Sequence, residues 1–195
     1  MITIHRDIYQ RLRPKGAVAV LLLTISVSCG TDSAPTPKTE TSVTQATNVS
    51  ATAPMVLLGD VARIDSVLNQ HQGKWILVNV WATWCRPCVA EMPDLVALHQ
   101  SMSGKPFSLV GVSADFMTSP TAAEALKKVS DFSTKYQIRY PNVIFSGSTD
   151  ELTARFSLSG TIPATILYDP QGREVERWVG RLAHEDIEWI KAKVL

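Results

Sequence analysis

From residue 55 to residue 195 apolar positions recur almost without interruption, and they do so with two alternating periods. Val61, Ile64, Val67 and Leu68 share one helical face. Trp75–Trp81 (WILVNVW) is a near-continuous apolar run rich in β-branched and aromatic residues, which predicts a central strand covered on both faces. Residues 86–102 predict a helix containing Pro93, and Phe107–Ser113 (FSLVGVS) predicts a second buried strand. Ser119-Pro120 predicts a helix start with proline in the first turn, continuing through Ala125, Val129, Phe132 and Tyr136. A short strand at Asn142–Phe145 and a short helix at 151–156 follow. Ala164–Tyr168 and Glu174–Val179 flank the turn sequence Asp169-Pro170-Gln171-Gly172, so they predict an antiparallel hairpin. Leu182, Ile187, Ile190 and Val194 predict a terminal amphipathic helix. Strands that alternate with helices and close in a hairpin plus a helix imply one α/β domain over 55–195, a mixed sheet flanked by helices on both faces.

The first 54 residues follow other rules. Arg6, Arg11, Arg13 and Lys15 lead into the apolar run 17–27, AVAVLLLTISV, whose 11 residues fall well short of a bilayer span. That pattern predicts a signal peptide over 1–28. Cys29, directly after Ser28, resembles the modified cysteine of a bacterial lipobox, although Ser26 stands where that motif usually has leucine. The resemblance implies a lipid on Cys29 and a tether to a membrane. Cleavage by ordinary signal peptidase and an uncleaved anchor are the alternatives, and all three export the domain. Residues 30–54 hold seven Thr, three Ser and three Pro and no aromatic residue, a composition that predicts a flexible linker over 29–54.

Charge narrows the function classes. The chain of 195 residues carries 19 Lys+Arg and 18 Asp+Glu. Four bases and one acid lie in residues 1–28, leaving 15 bases against 17 acids and a charge of −2. Nucleic acid is therefore not an expected partner. No Gly-rich phosphate loop is present in the sequence, so nucleotide chemistry is not expected either.

The candidate chemistry lies at Cys85-Arg86-Pro87-Cys88, between the strand Trp75–Trp81 and the helix that follows it. A cysteine at a helix N-terminus faces unpaired amides and the positive end of the helix dipole, and Arg86 adds a charge beside it. Cys85 is thus the expected acidic, more exposed thiol. Cys88, one turn on, can close a disulfide with it, while Pro87 fixes the backbone of the first turn. Two plainer uses of such a pair exist. Half a zinc site needs further ligands, but the only other cysteine is Cys29, and His71, His99 and His184 are isolated. A structural disulfide would close a very small ring and remove little chain entropy.

Trp81-Ala82-Thr83-Trp84-Cys85-Arg86-Pro87-Cys88 resembles the active site of the thioredoxin superfamily, and Val78-Asn79-Val80-Trp81-Ala82-Thr83-Trp84-Cys85 resembles its extracytoplasmic TlpA/ResA/CcmG-like branch. Pro93 matches that family's helix proline. Gly160-Thr161-Ile162-Pro163 matches its cis-proline loop, which in the fold faces the cysteines. Glu91, three residues after Cys88, matches the acid that this branch carries in its active site, and assisting proton transfer from Cys88 is the expected role. Asn79 departs from the cytoplasmic thioredoxins, which place a buried aspartate there. Trp81 is expected in the core and Trp84 as an exposed substrate platform.

The resemblance implies a thioredoxin-like fold and a thiol–disulfide oxidoreductase that needs no metal and no cofactor beyond the Cys85–Cys88 disulfide. Cys85, Cys88 and Glu91 would carry the chemistry, with Trp84, Arg86, Pro87, Ile162 and Pro163 holding the substrate. Net reduction of disulfides in exported proteins, apocytochrome c among them, is expected, with electrons from a thiol-carrying membrane donor in the cell envelope. Two other activities occur on the same fold. Copper delivery of the SCO kind uses CxxxC, whereas two residues separate Cys85 and Cys88. Thiol peroxidases use Pro-x-x-x-Thr-x-x-Cys, whereas Val78 stands seven before Cys85 and the nearby threonine is Thr83, two before it.

Overall fold

The structure, a computed structural model, describes residues 55–195. The expected signal peptide, Cys29 and the linker lie outside the described residues.

Six strands form one mixed sheet. They are β1 (Val56–Gly59), β2 (Trp75–Trp81), β3 (Phe107–Ser113), β4 (Asn142–Phe145), β5 (Ala164–Tyr168) and β6 (Glu174–Val179), arranged β1-β4-β3-β2-β5-β6. β1, β4, β3 and β2 run parallel, whereas β5 and β6 are antiparallel to their neighbours. Five helices flank the sheet on both faces: α1 (Val61–Asn69), α2 (Arg86–Ser101), α3 (Ala122–Lys135), α4 (Thr149–Phe156) and α5 (His184–Val194). Every residue of β3, and every residue of β2 after Trp75, is buried. That burial on both faces is why these two strands read as continuous apolar runs instead of alternating ones.

One strand and several helix boundaries differ from expectation. β1 was not predicted. It has four residues, all half-buried, and its existence depends on pairing with β4, Val56 opposite Asn142. The helix expected to start at Ser119-Pro120 starts later: Thr121 is the N-cap of α3, accepting from the Glu124 N–H at 3.2 Å. Ser119 instead ends a 3-10 turn, Asp115–Thr118. Proline suits a helix's first turn, but a threonine immediately after it supplies a capping oxygen that proline lacks. Leu182 likewise precedes α5 and does not belong to it.

Gly111 on β3 shows how tightly the centre is built. A side chain there would collide with Asn142, which accepts at 3.0 Å from the indole N–H of Trp81. Trp81 is fully buried, and its ring centroid lies 5.1 Å from that of Phe132 on α3. The end of β2, from which the cysteine loop departs, is thereby fixed from below.

Candidate active site

β2 ends at Trp81, the chain turns through Ala82-Thr83-Trp84, and α2 begins with Cys85 as its N-cap. An N-cap side chain accepts from an amide of the first turn, and here the sulfur does so: the Cys88 N–H donates to Cys85 Sγ at 3.3 Å. That amide, with the helix dipole, would stabilise a thiolate at the same sulfur. Cys85 and Cys88 are joined by a disulfide. Cys85 keeps 6% of its surface exposed and Cys88 none, while Trp84, Arg86 and Pro87 stand exposed around them.

The loop before β5 reaches this disulfide from far along the chain. Ile162 places its carbonyl oxygen 3.6 Å from Cys85 Sγ, and the Ile162–Pro163 peptide bond is cis. The Pro163 carbonyl accepts from the Gly180 N–H at 2.8 Å, tying the loop to the end of β6. The largely buried Cys85 sulfur is thus met by a backbone carbonyl, and the exposed Trp84 directly precedes it in the chain. Pro163 itself is buried and Ile162 half-buried.

One helical turn beyond Cys88 lies a buried carboxyl. Glu91 is fully buried, not on a solvated helix face. Its Oε1 accepts from Asn79 Nδ2 at 2.9 Å and its Oε2 from the Leu182 N–H at 3.1 Å. Burial pushes its pKa up to about 7; the bonds from Asn79 and Leu182 and the positive Arg181 pull the other way without overcoming it. Arg181 in turn pairs with Asp94 at 3.2 Å on the protein surface. Cys88 and Glu91 are three apart on α2 and so are neighbours on one face. A carboxyl that exchanges its proton near neutrality therefore sits one turn from the buried sulfur.

A second buried carboxylate holds the loop from the other side. Asp115 accepts from the Thr83 N–H at 2.9 Å, from the Thr83 hydroxyl at 2.5 Å and from Ser113 at 2.9 Å. Lys128 of α3 lies 3.2 Å from it. Neither Asp115 nor Thr83 was among the sequence-predicted site residues; the only signal was an acid two residues after a buried strand. Thr165, which accepts from Asn79 at 3.0 Å, gave no signal within its strand. None of the three histidines of the described residues bonds to a residue of the site: His71 bonds the Ser108 hydroxyl at 3.0 Å, His99 packs edge-on against Tyr140, and His184 is exposed at the start of α5.

The sequence matches the pattern of the AhpC/TSA family over residues 48–175, a span that contains every residue of the site except Gly180, Arg181 and Leu182. The chain belongs to the AhpC/TSA family. The thiol–disulfide oxidoreductase ResA of Bacillus cereus is 28% identical over 142 residues, covering 73% of this chain and 76% of the relative. The thioredoxin-like protein YneN of Bacillus subtilis is 29% identical over 136 residues, covering 70% and 74%. Among solved structures, a thioredoxin-family thiol:disulfide interchange protein from Chlorobium tepidum superposes with a TM-score of 0.53 at 27% identity, over 65% of this chain and 83% of that one. Fold, motif and relatives agree, and this AhpC/TSA-family protein is a thioredoxin-like thiol–disulfide oxidoreductase.

Proposed function

We propose that this oxidoreductase works outside the cytoplasm as a reductase of disulfides in exported proteins, held at a membrane by a lipid on Cys29. The Cys85 thiolate attacks one sulfur of a partner disulfide; that S–S bond breaks, and the displaced partner sulfur leaves as a thiolate that takes a proton from water. Cys88 then gives its proton to the Glu91 carboxylate and attacks Cys85 Sγ, which releases the second partner sulfur. The partner gains two electrons and the Cys85–Cys88 pair loses them. A thiol-carrying membrane donor returns the pair to its reduced form, and apocytochrome c is among the exported substrates of this reading. Trp84, Arg86, Pro87 and Ile162 form the surface on which the partner chain lies, with the buried Pro163 anchoring the loop through its carbonyl.

The observation that carries this reading is Glu91, sealed from solvent one helical turn beyond Cys88 with a pKa near 7. A base must be within reach and poised near the working pH, and a buried resolving thiol has no water to serve instead. The test is the reduction potential of the Cys85/Cys88 couple. A reductase belongs near the roughly −270 mV of thioredoxin, and a value near the roughly −120 mV of DsbA would make the protein an oxidant instead. The tether is tested separately: Cys29→Ala should move the protein from membranes to the soluble exported fraction or block its processing. Unchanged fractionation and acyl labelling would remove the lipid from the reading.

A further inference from the structure

With the disulfide closed, one buried acceptor next to the site is left unused. Asn79 is wholly buried, yet its Oδ1 has no hydrogen-bond partner; among the described residues only the Ser133 hydroxyl shares that condition. The orientation of the amide is fixed from its other end, because Nδ2 donates both to Glu91 Oε1 at 2.9 Å and to Thr165 Oγ1 at 3.0 Å. Buried polar atoms are nearly always satisfied, so an orphan calls for an explanation.

Reduction supplies the missing donor. Opening the disulfide creates two sulfurs that need partners. Cys85 already has them in place: its sulfur lies 3.3 Å from the Cys88 N–H, which serves a thiolate, and 3.6 Å from the Ile162 carbonyl oxygen, which serves a thiol. Cys88 is wholly buried, and no hydrogen-bond partner of its sulfur is present among the described residues. Its thiol would be a buried S–H donor. The α2 face that carries Cys88 carries Glu91 one turn later, and Asn79 is bonded to that Glu91 from β2 beneath.

We propose that Asn79 Oδ1 accepts the S–H of Cys88 in the dithiol form, so that the orphan acceptor of the disulfide form and the buried donor of the reduced form satisfy each other. The inference rests on the oxidoreductase reading above and deepens it. Asn79 is a positioning residue. Reduction takes up two electrons and, with both sulfurs protonated, two protons; a partner dithiol supplies them as it closes to its own disulfide. Asn79 gains neither electron nor proton and offers only a lone pair. Its effect is thermodynamic: it penalises the disulfide, where Oδ1 is bare, and favours the dithiol, where it is paired.

The experiment equilibrates the full chain with glutathione buffers and measures the wild-type couple beside Asn79→Leu, Glu91→Gln and the double variant. Asn79→Leu removes the orphan from the disulfide and the acceptor from the dithiol, and both changes disfavour reduction. The expected result is an approximately tenfold smaller equilibrium constant for reduction, a potential about 30 mV more negative, in the presence and in the absence of Glu91. A packing change alone alters the stability of both redox forms and leaves the potential where it was. A potential unchanged within twofold, or a shift that vanishes in the Glu91→Gln background, overturns the proposal. Should the leucine variant not fold, the infrared S–H band of reduced Cys29→Ala/Cys85→Ser protein, in which Cys88 is the sole thiol, decides. A hydrogen-bonded band position supports the proposal and a free one overturns it. Failure of the wild type to exchange with glutathione at all would be a failure of the oxidoreductase reading, not of this one.

Discussion

Asn79 of β2 and Glu91 of α2 meet side chain to side chain over 2.9 Å in the fully buried layer between sheet and helix, so one element's amide steadies the other's proton-exchanging acid. Ionising that acid costs stability. An acid whose folded pKa is raised binds more protons folded than unfolded, so its contribution is fully present below the unfolded value of 4.5 and is lost as pH rises through about 7. The span corresponds to about 3 kcal/mol. His71 and His99, both lowered by burial, act in the opposite sense over an overlapping range.

The first prediction isolates Glu91 from these histidines by difference. Glu91→Gln leaves both untouched, so the stability of the wild type minus that of the variant should fall as pH rises from about 4.5 to about 7. Urea unfolding at a series of pH values measures it. A flat stability difference would mean that Glu91 does not titrate in this range.

Cys88→Ser should accumulate stable mixed disulfides with partner proteins through Cys85, since no thiolate remains to resolve them. Cys85→Ser should not, because Cys88 is wholly buried behind the N-cap. Non-reducing electrophoresis after thiol quenching reads both. The reverse pattern would exchange the roles of the two cysteines.

How much of this was visible in the sequence depends on how local each feature is. The apolar runs of β2 and β3, the β5–β6 hairpin and the cysteine pair at a strand-to-helix junction are short-range patterns and were legible from the residues themselves. The approach of Ile162 to Cys85 was legible only through the family resemblance. β1 was not legible, since four half-buried residues become a strand only by pairing with β4, more than 80 positions away. The burial of Glu91 needed both Asn79 and the Leu182 N–H, which the sequence places 12 and 91 positions from it. A charged residue on a helix carries no mark of such cover.

Trp84 leaves 48% of its surface exposed directly before a buried sulfur. A large aromatic so placed is suited to anchor a partner chain, and truncating anchors of this kind costs about 1–2 kcal/mol or more. Trp84→Ala should therefore lower kcat/KM for protein disulfides by roughly five- to thirtyfold, mainly through KM. Alkylation of Cys85 by a small reagent should change by less than about twofold, because the Cys88 amide and the helix dipole remain. Equal losses in both assays would mean that Trp84 shapes the sulfur's surroundings instead of binding substrate.

The last prediction sets the hydrogen bonds of Asp115 against its ion pair. Asp115 is wholly buried and accepts from the backbone and hydroxyl of Thr83, whereas its cationic partner Lys128 is 42% exposed. Water can re-solvate a lysine at the surface but not the wholly buried Ser113 hydroxyl, which also donates to Asp115, so the two partners' losses are unequal. Asp115→Ala should cost about 3 kcal/mol, since it leaves buried donors bare, while Lys128→Met should cost less than about 1 kcal/mol. The loop from Thr83 to Cys85 should loosen in the first variant alone, seen as faster amide exchange there and a lower kcat/KM with protein disulfides. Equal destabilisation by the two substitutions would show that the charge pair, and not the anchoring of Thr83, is what holds the cysteine loop to the end of β3.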